Sequence, residues 1–215
     1  MKLFIYQHCP FCVKAMMIFG LKNLPLSLEV LAENDIESPT RMVGRKVVPI
    51  LQKADGSFMP ESMDIVRYID QLDGKPHLLG SSNPAVEAWL NEVRAIISRL
   101  IIPRFAQAPF AEIATDSARA RYVQRMTDWV GDLQQLLTET PNYLAQLQPH
   151  LADLEQLIVN ESAVNGTLSE DDIHLFPTLR SLTIVKDLVL PSKVKAYAEN
   201  MAKQSQVELL YSMAI

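Results

Sequence analysis

Cys9-Pro10-Phe11-Cys12 stands between two segments of opposite periodicity. Ahead of it, Lys2-Leu3-Phe4-Ile5-Tyr6 is a short apolar run rich in strand formers. Behind it, Cys12, Ala15, Met16 and Phe19 recur at the i, i+3, i+4 and i+7 spacing of one helix face. The quartet therefore bridges a strand and a helix start. Pro10 suits the first helical position, where a missing N–H costs nothing, which makes Cys9 the expected N-cap and Cys12 the third residue of the helix.

That placement separates the two thiols chemically. Cys9 sits at the positive end of the helix dipole, where free N–H groups stabilise a thiolate and lower a cysteine pKa to roughly 3.5 to 7.5; it is the expected nucleophile. Cys12, one turn further in and shielded by packing, is the expected resolving thiol. His8 and Lys14 either add positive potential nearby or are solvated flanks.

Other uses of Cys-x-x-Cys fit less well. A structural disulfide here would close a loop of only about four residues and stabilise little. A zinc site needs about four ligands, and beyond the two cysteines only His8, His77, His150 and His174 remain, without a second cysteine pair. No metal is expected. A lone dithiol between a strand and a helix reads as redox-active, with a Cys9–Cys12 disulfide as its oxidised form.

The 215 residues suffice for one large domain or two small ones, and 48% hydrophobic residues with 21% charged ones describe a globular chain. A net charge of −5 with no basic cluster argues against nucleic acid as a partner. No stretch of about eighteen apolar residues is present, so no membrane span is expected. Lys2 with the apolar run after it loosely mimics a secretory signal, but Gln7, His8 and Lys14 interrupt it. Two cysteines are too few for a secreted disulfide framework, and the expected compartment is the cytoplasm.

In chain order, Leu26 to Leu31 reads as a second strand, parallel to the first through a right-handed crossover. A short helix is expected over Ser38 to Val43, stopped by Gly44, and a strand over Val47 to Leu51. Asp55-Gly56 turns into a strand at Ser57-Phe58-Met59, and Ile65, Val66, Ile69 and Leu72 form a helical stripe capped by Ser62. Asp73-Gly74-Lys75-Pro76 and Gly80-Ser81-Ser82-Asn83-Pro84 bracket a linker. Beyond it, helices are expected from Pro84 past Pro103, from about Asp116 to Leu137, from Pro141 to Leu157, and from Pro191 to about Lys203. The second of these should bury Tyr122, Met126, Trp129, Val130, Leu133 and Leu137. Leu168-Ser169-Glu170-Asp171-Asp172-Ile173 is a capping box with a structural role.

The succession of strand, helix, strand, helix, hairpin and helix, with a dithiol opening the first helix and Val48-Pro49 ahead of the third strand, resembles the thioredoxin superfamily. That resemblance implies a cis Pro49 and a Val48 backbone that pairs with the cysteinyl part of a ligand. Glu61-Ser62 before a helix resembles the motif by which glutathione transferases and related glutaredoxins hold the γ-glutamyl end of glutathione. By that likeness Ser62 takes the α-carboxylate and Glu61 lies near the α-ammonium.

The whole chain resembles the two-domain glutaredoxins of bacteria. The resemblance rests on Cys9 to Cys12, Arg41 to Gly44, Met59 to Val66, Asn165-Gly166 to Ile173, and Met201 to Gln204, with Phe11 where tyrosine is usual. It implies an α/β thioredoxin-like domain over residues 1–73, a linker at 74–83, and an all-α helical bundle over 84–215, as in glutathione transferases. It also implies glutathione-dependent reduction of protein–glutathione mixed disulfides and protein disulfides. Cys9, Pro10 and Cys12 would be catalytic; Cys9, Phe11, Val48, Pro49, Glu61 and Ser62 would contact glutathione. The implied partners are glutathione and glutathionylated or disulfide-containing cytosolic proteins, and the implied state is a monomer. Rival readings are a glutathione transferase or dehydroascorbate reductase, against which Cys12 speaks, and a glutathione-binding or iron–sulfur scaffold.

Overall fold

A computed structural model describes residues 1–215. Strand β1 (Lys2–Ile5) leads through the Cys9 turn into α1 (Pro10–Leu21), and β2 (Ser27–Val30) returns parallel to β1, pairing Lys2 with Ser27 and Ile5 with Val30. After α2 (Glu37–Val43), which ends on Gly44 at a left-handed φ of 79°, β3 (Ile50–Gln52) and β4 (Phe58–Pro60) add antiparallel strands. The four-stranded sheet has the order β2-β1-β3-β4, and α3 (Ser62–Gln71) closes this thioredoxin-type part of the chain.

The rest is helical. It comprises α4 (Pro84–Gln107), α5 (Asp116–Val130), α6 (Leu133–Thr138), α7 (Thr140–Leu157), α8 (Glu170–Leu182) and α9 (Ser192–Ser205), with a 3-10 turn at Ala111–Ile113. Asn83 caps α4 by accepting the Ala85 N–H at 3.0 Å, and Pro103 lies inside the helix. The capping box at α8 forms as the spacing predicts, and Asp172 extends it to Val164 N–H at 2.7 Å and the Tyr197 hydroxyl at 2.8 Å.

Four readings need correction. The strand expected over Val47 to Leu51 begins only at Ile50, because Pro49 lacks the N–H that would extend the ladder. The helix expected over Asp116 to Leu137 is two helices: Gly131 takes φ 95° and stops α5, and the Asp132 carboxylate caps α6 through the N–H groups of Gln134 and Gln135. Trp129 stands 62% exposed, outside the core. The N-cap of α3 is Glu61, and Ser62 is the first helical residue.

The two parts share one continuous buried cluster, running from Leu3 and Ile5 through Val13, Ala15 and Phe19 to Phe110, Leu179, Tyr197 and Met201. Helix α1 packs against α3 on one side and against α8 and α9 on the other. Gly20 permits the closest of these approaches, since a Cβ there would stand 1.7 Å from the Ser205 carbonyl oxygen. Lys22 ties the end of α1 to the start of the connection, donating to the carbonyls of Asp70 and Lys75 and to the Asp73 carboxylate, each at 2.8 Å.

Candidate functional site

Sheet register brings the candidate residues to one end of the molecule. Phe4 pairs with Ile50, and Ile50 pairs with Pro60. The chain leaving β1 toward Cys9, the Val48-Pro49 segment entering β3, and Glu61-Ser62 leaving β4 therefore lie side by side. The Val48–Pro49 peptide bond is cis. Residues some forty positions apart become neighbours because three strands terminate together.

Cys9 is the N-cap of α1, with an extended backbone at φ −73° and ψ 120°, and Pro10 follows at the first helical position. Both cysteines are free thiols; Cys9 is half-buried, whereas Cys12 is 0% exposed beneath it. The hydrogen bond from the Cys12 thiol is the largest influence on Cys9. Burial opposes it, and the charge of His8 and the backbone N–H groups of Cys12 and Phe11 assist, leaving the Cys9 pKa lowered to about 7. Cys12 moves the opposite way: burial, its hydrogen bond to Cys9 and repulsion from a Cys9 thiolate hold its thiol well above the ordinary range. The Tyr6 N–H donates to Cys12 Sγ at 3.4 Å. One thiol is thus ionised near neutrality while its neighbour keeps its proton to donate.

The candidate binding edge is built by β3, β4 and the start of α3. Pro49 and Ser62 are buried, Val48 is half-buried, and Glu61 is exposed. Glu61 turns the chain from β4 into α3 at a left-handed φ of 70°, uncommon for a residue with a Cβ, and its carboxylate is paired with Arg45. The first N–H groups of α3, beginning at Ser62, have no intrahelical acceptor and point off the helix end, a geometry suited to a carboxylate. Phe11 projects 56% exposed beside the dithiol, with Lys14 Nζ 5.3 Å from its ring centre.

Of the two flanking residues considered for Cys9, the structure separates their roles. His8 is buried and acts on Cys9. Lys14 is turned toward the helical part, donating to His174 Nδ1 at 2.7 Å, and burial with the nearby Arg94 lowers its pKa to about 8. No group of three or more His, Cys, Asp or Glu side chains is arranged to hold a metal ion.

Comparison with known proteins bears on this geometry directly. The family model described as "Glutaredoxin 2, C terminal domain" matches residues 85–214, and that described as "Glutathione S-transferase, N-terminal domain" matches residues 3–77. Glutaredoxin 2 of Escherichia coli strain K12 is 53% identical over 215 residues, covering 100% of both chains. The chain belongs to the glutaredoxin 2 family. Another glutaredoxin 2, that of Salmonella typhimurium solved in complex with glutathione, is 52% identical with a TM-score of 0.98, covering 100% of this chain and 98% of that one. Glutathione transferase Omega 3C from Trametes versicolor shares the fold alone, at 18% identity and a TM-score of 0.55 over 97% of this chain and 84% of that one.

In this member of the glutaredoxin 2 family, a further layer lies behind the dithiol that sequence reasoning missed. The Glu112 carboxylate, fully buried in the 3-10 turn after α4, accepts from His8 Nδ1 at 2.6 Å and from the His8 backbone N–H at 3.0 Å. The neighbouring Ala111 N–H donates to Gln7 Oε1 at 2.8 Å, and Arg180 of α8 donates to the Gln7 carbonyl at 3.1 Å. Nothing in the sequence spacing links position 8 to position 112; the only local hint is a glutamate set among apolar residues at Phe110-Ala111-Glu112-Ile113.

Proposed function

We propose that the protein is a glutathione-dependent thiol–disulfide oxidoreductase in which Cys9 is the nucleophile and Cys12 the resolving thiol. The observation that carries this reading is the opposite polarisation of two adjacent thiols, with Cys9 lowered to about 7 and Cys12 held well above the ordinary range. The glutathione-bound structure of the Salmonella relative supports glutathione as co-substrate.

On a protein–glutathione mixed disulfide, the Cys9 thiolate attacks the glutathionyl sulfur. A Cys9–glutathione disulfide forms, the bond to the protein sulfur breaks, and that sulfur leaves with the electron pair and takes up a proton. A second glutathione, as its thiolate, attacks the glutathionyl sulfur, releasing glutathione disulfide and regenerating the Cys9 thiolate. On a protein disulfide, Cys9 first bonds one substrate sulfur and expels the other. Cys12 then gives up its proton and attacks Cys9 Sγ, so the first substrate sulfur departs reduced, and the Cys9–Cys12 disulfide is reduced by glutathione.

Pro10 starts the helix whose N–H groups support the Cys9 thiolate. Val48 presents its backbone to the cysteinyl part of glutathione beside Pro49, Ser62 and the start of α3 receive the γ-glutamyl carboxylate, Glu61 lies by its ammonium, and Phe11 flanks the sulfur. Residues 1–73 carry the reacting groups, 74–83 connect, and 84–215 form the helical support. No helix is long and apolar enough to cross a membrane; a cytoplasmic monomer acting on glutathionylated or disulfide-containing proteins fits this chemistry.

The test is glutathione-coupled reduction of a small mixed disulfide, followed through NADPH and glutathione reductase, beside reduction of a protein disulfide. Cys9→Ser abolishes both. Cys12→Ser keeps the first and lowers the second more than about tenfold. Equal loss of both activities in Cys12→Ser would contradict the assigned roles.

A further inference from the structure

The loop before the nucleophile is gripped by the other half of the molecule. His8, adjacent in sequence to Cys9, is held by Glu112 through both its ring and its backbone, on a single carboxylate oxygen, Oε1. The ring lies in an aromatic box: Tyr6 stacks at 5.9 Å, Phe105 and Phe110 tilt against it at 5.4 and 5.8 Å, and Tyr122 meets it edge-on at 5.1 Å. Three of those four rings belong to the helical part. A carboxylate at one nitrogen and four aromatic rings around it fix where the imidazole sits and which way its Nδ1 points.

Stability alone does not account for this carboxylate. Glu112 is wholly buried, and its Oε2 has no hydrogen-bond partner in the protein. A buried ion pair generally stabilises no more than a well-packed apolar replacement would. The other buried carboxylate nearby, Glu33, likewise leaves its Oε2 without a hydrogen bond but pairs through Oε1 with two cations, Lys46 and Arg125, whereas the side chain paired with Glu112 is His8. The groups facing the pair are Tyr6 after β1, Cys9 at the N-cap of α1, Cys12 within it, Tyr122 from α5 and Arg180 from α8, with Glu33 after β2 and Arg125 of α5 acting on the two tyrosines.

We propose that Glu112 is a positioning residue for the redox site: from the helical half it holds the His8 imidazole, with Nδ1–H on the carboxylate, so that its positive charge stays beside Cys9 and supports the thiolate. The inference rests on Cys9 being the nucleophile. The charge of His8 already figures among the influences that lower the Cys9 pKa, and burial of Glu112 is outweighed by its bonds to His8, so its carboxyl lies below the usual range.

The experiment follows the pH dependence of Cys9 alkylation by iodoacetamide, with the modified residue identified by peptide mass and folding checked by circular dichroism. In Glu112→Gln, which keeps the shape and removes the charge, the profile moves to higher pH and alkylation at pH 6 slows about five- to tenfold. His8→Gln, which removes the imidazole and keeps a polar side chain of similar size, moves the profile the same way and decides the matter where Glu112→Gln unfolds. The double variant shifts no further than His8→Gln alone, as expected if the two act in one chain of contacts.

A folded Glu112→Gln with the parental profile overturns the proposal, as does a parental profile in His8→Gln, and Glu112 would then be a structural clamp only. A parent whose Cys9 is not alkylated preferentially over Cys12 would instead remove the nucleophile reading itself.

Discussion

Two cysteines in one helical turn receive opposite treatment, and the difference is one of burial and donors. Cys9 ends a strand-to-helix turn and is met by the Cys12 thiol, by His8 and by the first N–H groups of α1; Cys12 is enclosed by the core and has Cys9 as its sulfur neighbour. A pKa near 7 predicts a specific pH course. Below it the thiolate fraction falls about tenfold per pH unit, and above it the fraction saturates. Alkylation of Cys9 at pH 5 should therefore run roughly a hundredfold slower than at pH 8, with a midpoint near 7. A midpoint at the ordinary thiol value would mean that the Cys12 thiol, His8 and the helix end together do not outweigh burial at this sulfur. The tyrosines show the reverse effect: burial and nearby Glu33 push Tyr6 upward, so it remains a neutral phenol throughout this range.

At the scale of single elements, α1 does more than present the dithiol. Its outer end meets α9 so closely that Gly20 has no room for a side chain: an added Cβ would fall 1.7 Å from the Ser205 oxygen and 2.2 Å from its carbonyl carbon. Both are backbone atoms and cannot rotate aside. Gly20→Ala must therefore part the two helices, and it is expected to destabilise by roughly 3 kcal/mol. For a chain of this size that is a fall in Tm of about 6 to 12 °C, readable by calorimetry. An unchanged Tm would show that α9 can slide without cost. Pro10, Asn83 and Ser169 mark the starts of their helices by chemistry local to the chain. Gly131, by contrast, interrupts a stripe that remains periodic across it, so the break between α5 and α6 has no signature in hydrophobic spacing alone.

Across the whole molecule, the sheet-bearing part and the helical part share one buried cluster, and hydrogen bonds run between them from Gln7, His8 and Glu33 to Ala111, Glu112, Arg125 and Arg180. With so much of α1 buried against α8 and α9, neither part keeps its core when the other leaves. Urea unfolding should therefore be a single cooperative transition. Trp89 and Trp129 lie in the helical part and Cys12 in the other, so tryptophan fluorescence and Cys12 accessibility to a thiol reagent should report the same midpoint. Two separated midpoints would show the parts to be independent folding units.

What could be read along the chain was whatever depends on neighbours in sequence. The strand-to-helix placement of Cys9 and Cys12, the caps, the prolines at helix starts and the switch from mixed to helical periodicity near residue 80 are set by local sterics and by hydrogen bonds within a few residues. The residues quoted for family likeness, among them Val48-Pro49 and Glu61-Ser62, added the expected edge of the site. The layer behind the dithiol was decided only by tertiary structure. Position 112 meets position 8, position 205 meets position 20, and Arg45 meets Glu61 because separate elements pack together. A carboxylate buried against an imidazole more than a hundred residues away leaves no periodic trace, since its place is set by elements that meet in a shared interior and not by the segment that carries it.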